Sequence, residues 1–83
     1  MNATQIAQLQ STRKAIGRRI KSQRILADIT QCQLAEALGY SSAATVGRIE
    51  RGNSPVPGEM LHAIAAALGC PVDRLIGVST GAS

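Results

Sequence analysis

The chain has no tryptophan, no phenylalanine and a single tyrosine, Tyr40, among its 83 residues. Its core must therefore be built from Ile, Leu, Val, Met and Ala, which suits short helices crossing closely. A platform of stacked aromatics for single-stranded nucleic acid is disfavoured. Cysteine and histidine are as scarce. Cys32, Cys70 and His62 show no paired ligand spacing, so free, half-buried thiols are expected rather than a disulfide or a metal centre. No cofactor is implied. Nothing pairs a nucleophile with a base or two carboxylates across a cleft, and no Gly-rich phosphate loop is present, so an enzyme is not expected. No apolar run reaches membrane length, and the N-terminus lacks the basic-then-apolar order of a secretory leader. A reducing cytoplasm is the expected location.

Acidic residues are few: five stand against nine basic ones, for a net charge of +4. That balance favours a polyanionic partner, although a small basic protein need not bind DNA. Distribution is more telling than the total. Six of the nine basic residues, Arg13, Lys14, Arg18, Arg19, Lys21 and Arg24, fall in one helical window. For any one of these six, a solvated helix face is an equally good account.

The rest of the chain is organised around Ile29 to Gly52, where two short helix signals are joined by a tight turn. Thr30 can cap a helix with its hydroxyl, Gln33 completes a capping box three residues on, and Ile29 and Leu34 form the ends of a hydrophobic staple. Leu34, Ala35 and Leu38 recur at helical spacing, and Gly39 supplies the left-handed stop. This predicts a helix over Gln31 to Leu38. Ser42 caps a second one, Ala43 to Arg51, with Val46 and Ile49 on its apolar face and Gly52 at its end. Helices this short cannot stand alone in water, so both must pack on the remaining chain. The arrangement is a helix-turn-helix.

Before it, residues 1–11 are polar and Gln-rich, and form either a frayed arm or a helix extension. The lack of any Lys or Arg before Arg13 favours a frayed terminus over an arm that reaches round a duplex. A first helix is predicted from Thr12 to about Ala27, its stripe marked by Ile16, Ile20 and Ala27 and widened by Ile25 and Leu26. Asp28 turns the chain, since Asp tolerates a left-handed backbone better than most residues. After the motif, residues 53–58 read as a loop. Pro57 opens a fourth helix carried by Leu61, Ile64, Ala65 and Leu68 to Gly69, and Pro71 opens a last short one through Val72, Leu75 and Ile76. The fold class is all-α, one domain over 12–77, with 78–83 as a flexible tail.

Thr30-Gln31, Leu34-Ala35-Glu36, Leu38-Gly39 and Arg48-Ile49-Glu50-Arg51-Gly52 together resemble the helix-turn-helix domains of lambdoid phage repressors and Cro, the XRE type. The resemblance runs from about Ile16 to Ile76. It implies a compact five-helix domain that binds operator DNA as a symmetric homodimer, with the second helix of the motif in the major groove. A restriction-modification controller is a regulatory variant of that reading.

Carried over by position, the family's base contacts fall on Ala43, Ala44, Thr45 and Arg48. Arg48 is the polar reader among them, suited to guanine O6 and N7. Ala43 and Ala44 can touch a thymine methyl but form no base hydrogen bond, which leaves room for readout of DNA shape or for a protein partner on this surface. Phosphate contacts fall on Gln31, Ser42, Arg51, Asn53 and Arg18; Gln31 stands where a helix N-terminus offers free amides. Arg24 and Glu50 match positions that form a partly buried ion pair in some relatives. Gly47, inside the recognition helix, points to a close approach or to simple packing. Leu75, Ile76 and Val78 form a surface for dimerisation or a cap on the domain's own core. Two functions follow: a double-stranded-DNA-binding transcriptional regulator, or a protein-binding module on the same fold.

Overall fold

The computed structural model describes residues 2–77 and contains five helices: α1 Ala3–Leu26, α2 Gln31–Leu38, α3 Ala43–Glu50, α4 Gly58–Leu68 and α5 Asp73–Ile76. α2 and α3 pack on one another. α1 runs beneath α3 and on to α5, and α4 closes the core against α2 and α1. Ile20, Leu34, Val46, Ile64 and Leu75 are the largest fully buried side chains, one from each helix. With Tyr40 as the single aromatic ring, and that only partly buried against the core, every helix contributes an aliphatic residue to the centre.

The local signals of the motif have their expected geometry. Thr30 Oγ1 accepts from the Gln33 amide at 3.0 Å while Gln33 Oε1 accepts from the Thr30 amide at 2.9 Å, completing the capping box. Gly39 ends α2 at φ 80°. Ser42 Oγ accepts from the Ala44 amide at 3.1 Å and starts α3. α3 ends at Glu50, and Arg51 is its cap rather than its last residue. Asp28 is the one non-glycine among the described residues at positive φ, 58°, in the turn between α1 and α2.

Elsewhere the boundaries differ. α1 begins at Ala3, nine residues before the expected Thr12, because Asn2 Oδ1 accepts from the Gln5 amide at 2.8 Å and Gln5 Oε1 accepts from the Asn2 amide at 2.9 Å. This second capping box lies in a stretch with almost no apolar pattern, so periodicity does not mark it. Residues 2–11 are thus a helix extension, exposed throughout. At the other end of α1, Ile25 and Leu26 are exposed, 58% and 76%, and do not widen the core stripe. Pro57 is the cap of α4, not its first residue, and α5 starts at Asp73, two residues past Pro71. Leu75 is fully buried and caps the domain's own core, while Ile76 is partly exposed. Val78 and the remaining 78–83 segment lie outside the described residues.

Cys32 is exposed on α2, against the half-buried expectation, and Cys70 is half-buried against the core; both are free thiols. Among the described residues, no helix is long and apolar enough to cross a membrane.

Candidate nucleic-acid interface

α3 is held from below by backbone. A Cβ on Gly17 of α1 would lie 2.5 Å from the carbonyl oxygens of both Ile49 and Glu50, so α1 and α3 meet where only hydrogen fits. One turn earlier in α1, Lys14 packs on Gly52, where a Cβ would fall 2.7 Å from the Lys14 Cα. Gly52 also needs its positive φ of 77° to turn the chain out of α3. Sequence reasoning passed over Gly17. Its signal was available: a lone glycine in a helical run is costly unless something approaches closely.

From the side, α3 is tied by a buried polar cluster. Arg24 Nε donates to Glu50 Oε2 at 2.6 Å and Nη2 to Oε1 at 3.2 Å, while Nη1 donates to the Ile29 carbonyl at 2.9 Å. The Glu50 side chain is only 2% exposed and that of Arg24 11%. One guanidinium thus joins α1, the turn before α2, and α3. Gln31 completes the cluster, its Nε2 donating to Glu50 Oε1 at 3.0 Å. No buried side-chain polar atom among the described residues is left without a partner. A buried charge is tolerable only in that condition.

Gln31 therefore stands at the first position of α2 with its amide turned toward Glu50. Nε2 keeps a second hydrogen. The first amides of any helix have no intrahelical acceptor; here Gln33 bonds to the cap, which leaves Gln31 and Cys32 at the positive end of the α2 dipole.

The opposite face of α3 is open. Ala44 and Arg48 are exposed and Ala43 and Thr45 partly so. Arg48 Nη2 reaches Thr45 Oγ1 at 3.4 Å, a long contact between neighbours on one helix, and no carboxylate among the described residues pairs with it. Arg51 and Asn53 are exposed at the end of the motif and Ser42 at its start. Beside the α2 N-terminus, the Arg51 guanidinium and the Gln31 amide both lie near Gly47.

Arg18 is not brought to that surface. It lies with Arg19, Ser22 and Arg74 along a shallow depression between α1 and α5. Lys14 and Arg13 instead border a depression with Gly52 and Asn53, adjoining the end of α3. The spacing that separates them is visible in the sequence, because Lys14 is three residues before Gly17 and shares its face, but only once Gly17 is known to touch α3.

Residues 20–75 match the family model described as helix-turn-helix. Among solved structures, the restriction-modification controller protein C.AhdI from Aeromonas hydrophila is similar at 28% identity. Its TM-score is 0.70, and the match covers 83% of this chain and 97% of that one. None of the curated proteins matches the sequence.

Proposed function

Because the chain belongs to the helix-turn-helix family of the Cro and phage-repressor type, DNA-binding regulators of transcription, we infer that it is a cytoplasmic repressor reading a palindromic operator. In this reading it binds as a homodimer, with α3 in the major groove. The observation that carries the reading is Arg48: an exposed guanidinium without a carboxylate partner among the described residues, on a helix whose underside is fixed by Gly17 and by the Arg24–Glu50 pair. A guanidinium in that setting suits guanine O6 and N7, and rigid seating of the helix keeps the two hydrogen bonds in register with the base edge.

The dimensions of α3 support the homodimer reading. An α3 of eight residues is about 12 Å long, which spans roughly four base pairs, too few to single out one site in a genome. Two copies on a two-fold operator double the sequence read. Given the similarity to a restriction-modification controller, the narrower version is control of such a gene pair. The competing reading, a module for a protein partner, draws on Ala43 and Ala44, whose methyls offer no hydrogen bond to a base.

Selection of bound duplexes from a random library, with wild type and Arg48→Ala in parallel, tests the reading. The expected result is an inverted repeat whose guanine preference is relaxed by the substitution, at about 1–3 kcal/mol. If a folded wild type enriches no sequence, the protein-partner reading replaces it.

A further inference from the structure

Gly47 lies on the flank of α3 that faces the start of α2, and its surroundings differ from those of Gly17 and Gly52. Gly17 and Gly52 are pressed by backbone, whereas a Cβ on Gly47 would meet only side-chain ends: Arg51 Nη1 at 3.2 Å, Arg51 Cζ at 3.9 Å and Gln31 Nε2 at 3.8 Å. Helical side chains lean toward the N-terminus, so Arg51 runs back over the residue four positions before it. Glycine in mid-helix is costly, and no neighbouring backbone requires it here. What its bare Cα provides is room for a guanidinium.

That guanidinium is a free cation. Both oxygens of the adjacent Glu50 are taken, Oε2 by Arg24 and Oε1 by Arg24 and Gln31, and Arg51 has no ion pair among the described residues. We propose that Gly47 is a positioning residue: lacking a side chain, it lets Arg51 fold back along α3 and present its guanidinium beside the Gln31 amide, so that α3 and α2 grip one DNA phosphate together. The assignment rests on the DNA-binding reading. Arg51 Nη1 and Gln31 Nε2, one of them charged, both lie within 4 Å of the position a Cβ on Gly47 would take, beside the positive end of α2. Adding a methyl at position 47 pushes the guanidinium off that point while improving the helix.

The test is a double-mutant cycle of Gly47→Ala and Arg51→Ala. Binding to a fluorescein-labelled duplex of mixed sequence is followed by anisotropy across a salt series, alongside thermal melts. Gly47→Ala is expected to melt at or above wild type and to bind at least about threefold more weakly at low salt. Arg51→Ala lowers the log-log salt slope by about 0.9, as loss of one phosphate contact requires. In the Arg51→Ala background, Gly47→Ala then costs nothing further. Equal losses in both backgrounds, unchanged binding by Gly47→Ala, or a clear drop in its melting temperature would each overturn the assignment. Failure of folded wild type to bind the duplex at all would instead sink the DNA-binding reading beneath it.

Discussion

Arg24 and Glu50, 26 residues apart, meet as a two-point guanidinium–carboxylate pair that is almost completely withdrawn from water. The pair joins α1 to α3 and, through the Ile29 carbonyl, to the turn that aims α2. Its value lies in completeness: remove one member and the other is stranded at high cost.

Glu50→Ala should therefore destabilise the domain by about 3–5 kcal/mol, and Arg24→Met by a similar amount. Replacing both, Arg24→Met with Glu50→Leu, should recover most of that loss, since no charge is left buried. Urea denaturation of the three variants decides it. A double variant no better than the singles would mean that the pair is needed for shape and not only for neutrality.

Gly17→Ala should be damaging although alanine is the better helix former. Its methyl would sit 2.5 Å from two backbone carbonyls that cannot rotate away. The expected net loss is about 2 kcal/mol, or a fall in melting temperature of roughly 10 °C for a domain of this size. Operator binding should weaken in parallel, through tilting of α3. A melting temperature equal to that of wild type would show that the joint is looser than its geometry implies.

Lys14→Ala should lower the salt slope of DNA binding by about 0.9, and Arg18→Ala should leave it nearly unchanged. The structure sets Lys14 against Gly52 at the end of α3 and Arg18 on the α5 side of the domain. Anisotropy titrations of the two variants over the same salt range compare them directly. The reverse order would restore the assignment drawn from the sequence alone.

Deleting residues 2–11 should cost less than about 1 kcal/mol of unfolding free energy while reducing helical circular dichroism. Every residue removed is exposed. Exposed residues contribute little, and the Asn2–Gln5 cap that goes with them closes only the segment removed. A cooperative loss of stability would mean that this stretch of α1 is packed in solution.

The central part of the fold was legible because its signals are local. Thr30 with Gln33, Gly39, Ser42 and the left-handed Asp28 each depend on side chains within a few residues, and all have the expected geometry. The start of α1 is just as local, yet its Asn2–Gln5 box is hidden by an absence of apolar periodicity, since Ile6 and Leu9, the large apolar residues of that segment, stay exposed. What could not be read was distance across the chain. Gln31, expected at a phosphate, also donates to Glu50, 19 residues away, a partner that local spacing does not announce. Arg18, expected at a phosphate, lines a depression with Arg74, while Lys14 borders Gly52 and Asn53; the face of α1 that meets α3 is defined by contact at Gly17 and not by charge.

That contact has a consequence for how the domain could change its target. Where Gly17 of α1 meets α3, the touching atoms are peptide atoms, whose radii are common to every sequence. The height of α3 above its support is thus a constant of covalent chemistry rather than a variable of side-chain choice. Positions 43, 44 and 48, on the far side of the helix, can be exchanged without moving the platform that carries them. In the proposed reading, the domain is a fixed mount with a replaceable reading surface.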